Sequence, residues 1–187
     1  SHIVADLPFM TYQATIDDAL YNAGRILKEG GAQSVKVEGG QKIAKTVSHM
    51  VDIGIPVMGH IGLTPQSVNQ LGGYKVQGKT SDSAAELLKD ARSLENAGVY
   101  ALVLESIPTP LGKLITEQLT IPTIGIGAGV HCDGQVQVFH DLLGLFTDFT
   151  PRHARQYSKL NEIIKTAVSC YINEVKTGDF PSKKESF

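Results

Sequence analysis

Two charged side chains interrupt a short apolar strand at Ser34 to Gly40, SVKVEGG, where Lys36 and Glu38 stand two positions apart before paired glycines. Side chains alternate along a strand, so the charges share one face and Val35 and Val37 take the other. In a parallel sheet covered on both faces each charge needs a partner, because burying it unpaired costs on the order of several kcal/mol. An ion pair on an exposed strand would explain this pattern alone. Further charged groups at the ends of other apolar runs, Asp6, His60 and Glu105, argue instead for a site.

Asp6 and Glu38 are expected at the ends of adjacent strands, about 4.8 Å apart. Carboxylates that close repel unless a proton or a cation lies between them. Oxygen ligands without cysteine favour a hard cation, and magnesium suits a site of few carboxylates completed by water and substrate. Glu105 ends YALVLES on the face of Val103, with Leu102 and Leu104 turned to the helices. An acid at the end of an apolar strand is placed to work as a general base, with a salt bridge to Lys36 as the compatible structural role. His60, in PVMGHIGLTPQS, is expected to contact substrate. GIGAG from Gly125 lacks the spacing of a dinucleotide fingerprint, and close backbone approach to a ligand is expected there instead. LGGYKVQG, around Tyr74 and Lys75, reads as a mobile loop, either a connection or a lid.

Strands positioning these groups recur as IVADLPF, SVKVEGG, IPVMGHIG, YALVLES and TIGIGAG, with QVQVFHD a weaker sixth. Between them DDALYNAGRILKEG, QKIAKTVSHMVDIG, SDSAAELLKDARSLENAG and PLGKLITEQL carry apolar residues at helical spacing, the third with Ser81 as its cap. Alternating strands and helices predict a parallel α/β sheet with right-handed crossovers. Charged groups at the ends of successive strands favour a (β/α)8 TIM barrel over an open doubly wound sheet. About six strands fall short of eight, so the expectation is a single barrel domain over 1–187, lacking about its first two βα units, with C-terminal helices. Those units would come from chain upstream or from another polypeptide. Pro151 to Val175 reads as helix, with Leu160, Ile163, Ile164, Ala167, Val168 and Ile172 on one stripe, followed by the polar tail GDFPSKKESF.

The chain has 187 residues, 17 basic and 19 acidic, for a formal net charge of -2. That balance makes no case for nucleic acid or an anionic membrane as partner. No apolar run reaches the roughly 18 residues of a membrane span. Cys132 and Cys170 fit no metal spacing and read as reduced thiols, so a cytoplasmic location is expected.

In order along the chain, DLPF, VKVEGG, GHIGLTPQSVNQLGGYKVQG, LVLESIP, IPTIGIGAG and CDGQVQVFHDLLG resemble the ketopantoate hydroxymethyltransferase (3-methyl-2-oxobutanoate hydroxymethyltransferase) family, from Ala5 to the terminal ESF. The resemblance implies a TIM barrel that transfers a hydroxymethyl group from 5,10-methylenetetrahydrofolate to 3-methyl-2-oxobutanoate, giving 2-dehydropantoate for pantothenate synthesis. It implies magnesium as cofactor, the folate as co-substrate, and a homodecamer. By matching motif, Asp6 would bind magnesium and substrate, Lys36 the substrate carboxylate, Glu38 the metal directly or through water, and Glu105 the proton. His60 would line the site. A GDSLG-like motif that supplies a further metal ligand and a substrate-binding serine in the family is absent from this sequence. The alternatives are a scaffold without catalysis and another magnesium-dependent 2-oxo acid lyase or mutase barrel, whose KKCGH-like cysteine motif this sequence lacks.

Overall fold

A computed structural model describes residues 1–187. The chain forms two compact units, Ser1–Val136 and Gln137–Phe187.

In the first unit six strands pair in parallel and in chain order: β1 (Val4–Asp6), β2 (Ser34–Glu38), β3 (Val57–Gly62), β4 (Ala101–Glu105), β5 (Thr123–Ile126) and β6 (Gly134–Gln135). The helices between them are α1 (Ile16–Gly30), α2 (Gln41–Asp52), the short α3 (Val68–Leu71), α4 (Ser81–Asn96) and α5 (Thr109–Gln118). Strand order never reverses, which separates this sheet from the doubly wound type. Helices α1, α2, α4 and α5 pack on one face of the curled sheet, as right-handed crossovers in unbroken order require.

The core shows that sidedness. Val35, Val37, Val57, Ile61, Leu102 and Leu104 pack against Ala19 and Ala23 of α1, Val47 and Met50 of α2, Leu87, Ala91 and Leu94 of α4, and Leu111 and Ile115 of α5. On the opposite face Met58, Ala101 and Val103 form a small separate cluster with Val4, Tyr100, Ile124 and Ile126. The charged residues project from this second face, above that apolar floor.

Local signals set the helix ends. Thr15 accepts a hydrogen bond from the Asp18 N–H, two aspartates occupy the first turn of α1, and Gly31 ends the helix in the left-handed conformation. Thr80 and Ser83 form a capping box at α4, so the cap lies one residue before the expected Ser81. The start of α2 is capped by another helix: Asp90 Oδ1 of α4 accepts from the Gln41 N–H at 2.9 Å. A side chain at Gly40 would overlap Asp90, so glycine lets α4 supply the cap.

The weak sixth strand proves shorter and earlier than QVQVFHD. Only Gly134 and Gln135 pair with β5. In the second unit Phe139–Leu142 form the short helix α6. Its long helix, α7, covers Leu160–Thr177 and leaves 151–159 outside any helix, so the expected start at Pro151 is too early. Pro151 fixes its own φ and lacks an N–H, and no side chain caps α7 ahead of Leu160. Ile163, Ile164, Val168 and Ile172 on the expected stripe are exposed. Phe180 of the tail packs edge-on against Tyr171 of α7, 5.5 Å between ring centroids.

Candidate active site

The strand register decides which charged groups meet. Asp6 pairs level with Lys36, Glu38 with His60, and Gly62 with Glu105. Asp6 and Glu38 therefore sit on adjacent strands but two residues out of step, which corrects the expectation of carboxylates side by side. Lys36 fills the level position, its Nζ 3.0 Å from Asp6 Oδ1. The predicted partnership of Lys36 with Glu105 gives way to this contact.

His60 joins the remaining groups. It is 3% exposed, its Nδ1 is 3.4 Å from Lys36 Nζ and 3.8 Å from Glu38 Oε1, and its Nε2 is 3.1 Å from Glu105 Oε2. An ammonium only donates, so in the contact with Lys36 the acceptor is Nδ1, and Nε2 is the ring atom turned to Glu105. That Nε2 lies within ion-pair distance of Glu105 but out of line for a hydrogen bond, and it is the one buried side-chain polar atom left without a partner. Unpaired buried polar atoms are costly, and they concentrate where a ligand completes them. Lys36, Glu38, His60 and Glu105 are thus brought together, with Asp6 at the rim and 60% exposed.

Two residues without a role in the sequence reading hold Glu38. The Tyr12 hydroxyl accepts from the Glu38 N–H at 2.9 Å and lies 3.0 Å from Gln66 Oε1. The Gln66 N–H donates to Glu38 Oε2 at 2.9 Å, and its side-chain amide donates to the Leu7 carbonyl at 2.8 Å. Burial, followed by the nearby Glu38 and Asp6 carboxylates, outweighs the Glu38 N–H bond and pushes the Tyr12 hydroxyl up to about 12. Both residues are distant in sequence from Glu38, and no spacing rule links them.

The GIGAG glycines approach the protein itself. A side chain at Gly125 would meet Cys132 Sγ and the Gln135 amide at 3.0 Å, and one at Gly129 would overlap Thr109. The LGGYKVQG loop is tied beside Glu105, since the Gln77 N–H donates to the Ser106 carbonyl at 2.9 Å.

No three His, Cys, Asp or Glu side chains form a ready metal cage. The remaining oxygen donors are those of Asp6, whose Oδ1 is engaged by Lys36, and Glu38 Oε1, whose partner oxygen is held by Gln66. Carboxylate oxygens of this kind are the ligand type magnesium takes.

Residues 1–183 match the family model for ketopantoate hydroxymethyltransferase. The chain belongs to the ketopantoate hydroxymethyltransferase family. It is 61% identical over 185 residues to the 3-methyl-2-oxobutanoate hydroxymethyltransferase of Dehalococcoides mccartyi strain 195, covering 99% of this chain and 66% of the relative. The enzymes of the same name from Carboxydothermus hydrogenoformans and Clostridioides difficile are 59% and 52% identical, over 100% and 99% of this chain and 68% and 67% of their own lengths. The chain thus spans about two thirds of the length of these ketopantoate hydroxymethyltransferase relatives.

Proposed function

We propose that this chain carries the proton-abstracting centre of a 3-methyl-2-oxobutanoate hydroxymethyltransferase. The supporting observation is the meeting of Lys36, Glu38, His60 and Glu105 at the C-terminal ends of three successive parallel strands, with Asp6 on a fourth. In barrels of this type chemistry gathers at that end.

Lys36 offsets the carboxylate of 3-methyl-2-oxobutanoate and orients it toward β4. Glu105 removes the proton from C3. His60, held by Lys36, places its unpartnered Nε2 3.1 Å from Glu105, where a bound substrate oxygen could complete it. A magnesium ion held by Asp6 and Glu38 would supply the Lewis acidity that lets a carboxylate deprotonate carbon next to a ketone. C3 then bonds to the methylene carbon brought by 5,10-methylenetetrahydrofolate, water supplies the hydroxyl oxygen, and 2-dehydropantoate and tetrahydrofolate leave. This is the first committed step toward pantothenate.

The same reading extends the six strands to an eight-stranded (β/α)8 barrel by two further βα units, for which the greater length of the relatives leaves room. It places the protein in the cytoplasm as a homodecamer, an assembly that would cover the apolar stripe of α7. No helix is long and apolar enough to cross a membrane.

Exchange of the C3 proton of 3-methyl-2-oxobutanoate for deuterium, followed by NMR without folate, tests the reading. Exchange that depends on magnesium is expected from the full-length protein. Its absence there would remove the assignment.

A further inference from the structure

We propose that Tyr12 and Gln66 are positioning residues that lock Glu38 into its working rotamer and so set the cation affinity of the site. The inference rests on the reading of Glu38 as a metal-holding carboxylate.

Glu38 ends β2, where regular strand pairing gives way to Gly39 and Gly40. Its main chain and its carboxylate are nevertheless both held. Tyr12 takes its N–H at 2.9 Å and lies 3.2 Å from its carbonyl oxygen, while the Gln66 N–H fixes Oε2 at 2.9 Å. The two clamps are joined to each other, Tyr12 hydroxyl to Gln66 Oε1 at 3.0 Å, and Gln13 Nε2 donates to the same oxygen at 3.0 Å. Gln66 Nε2 closes the ring onto the Leu7 carbonyl, one residue beyond Asp6. One network therefore spans the ends of β1, β2 and β3 and touches the chain beside both candidate metal carboxylates.

The clamp is rigid at its base. Tyr12 is 2% exposed and Leu7 fully buried. The turn carrying Tyr12 is closed by the Thr11 N–H to the Pro8 carbonyl at 3.1 Å and held to α1 by Asn22 Nδ2 on the Thr11 carbonyl at 2.9 Å. With Oε2 engaged, Glu38 offers Oε1 alone. Partners that orient a ligating carboxylate in this way commonly change metal affinity by about 10–100-fold when removed.

The test compares Tyr12→Phe and Gln66→Ala with Thr116→Val in the full-length protein. Thr116→Val removes a part-buried hydroxyl, 2.8 Å from Thr123 Oγ1, far from these groups in the chain. Gln66→Ala, at a half-buried position, keeps the main-chain N–H but removes the side-chain bonds to Tyr12 and the Leu7 carbonyl that hold it in place, and so keeps the question answerable if Tyr12→Phe fails to fold. Magnesium affinity is measured by calorimetric titration, and Glu38 is located by crystallography. A fall of about tenfold or more in both site variants, with Glu38 displaced and Thr116→Val unaffected at a similar loss of Tm, is expected. Wild-type affinity with Glu38 unmoved would overturn the clamp. Equal losses in all three variants would reduce it to general stability and overturn it too. If wild-type protein binds no magnesium, the metal reading of Glu38 fails separately, and an unmoved Glu38 in Tyr12→Phe then decides against the clamp.

Discussion

Lys36 Nζ lies 3.0 Å from Asp6 Oδ1, across two strands that pair level at these residues. The lysine also reaches His60, so one cation serves the rim and the buried centre. Lys36→Met should raise KM for 3-methyl-2-oxobutanoate about 10–100-fold, the worth of a lost charge-assisted hydrogen bond. Loss of the exposed Asp6 contact should change Tm little, whereas leaving the buried His60 Nδ1 without its donor should lower it. Steady-state kinetics and thermal melting of one preparation check both statements.

Glu105→Gln keeps the shape beside His60 and removes the proposed base. Deuterium exchange at C3 should fall by about 10²–10⁴-fold while the oxo acid still binds. Exchange at the wild-type rate would take the role of base away from Glu105.

Gly62 has φ of +92°, and a side chain there would overlap the Glu105 carbonyl oxygen. Gly62→Ala should cost about 3 kcal/mol through backbone strain and the displaced end of β4. Proton exchange by the remaining folded protein should slow as well, because the displaced segment carries Glu105.

Leu102 and Val103 are neighbours with opposite duties. Leu102 is fully buried in the helix-facing core, whereas Val103 lies level with His60 on the other face. Leu102→Ala should lose about 2–5 kcal/mol in denaturant unfolding with little change in kcat of the folded protein.

Tyr12 provides an alkaline signature. Its folded value of about 12 exceeds the ordinary 10.0, so the native state keeps the phenolic proton that the unfolded chain releases. This contribution is complete below pH 10 and is lost as pH rises toward 12. Tm should decline over that window in wild-type protein and decline less in Tyr12→Phe.

Periodicity was enough to locate β1 to β5 and helices α1, α2, α4 and α5, because alternation and three-to-four spacing report directly on which face is buried. It also identified Lys36, Glu38 and Glu105 as sharing one face of the sheet. Register was not legible, since the level of Asp6 against Lys36 depends on where two strands separated by a whole helix come to rest. Thr80 escaped because its neighbour Ser81 is an equally good capping residue by type. Tyr12 and Gln66 escaped for a deeper reason: their hydrogen bonds run to residues 26 and 28 positions from their own, and nothing local encodes such distances.

The alternation of β2 bears on folding fidelity as well as on chemistry. Val35 and Val37 are 0% and 1% exposed among the helices, while Lys36 and Glu38 face the opposite way. A slip of β2 by one residue would exchange the two sets and drive an ammonium and a carboxylate into the apolar layer. Each unpaired charge would cost on the order of several kcal/mol, against a typical total stability of about 5–15 kcal/mol. Lys36 and Glu38 thus proofread the assembly of the sheet, and a misregistered molecule is rejected by the same charges that a correctly folded one would use on its substrate.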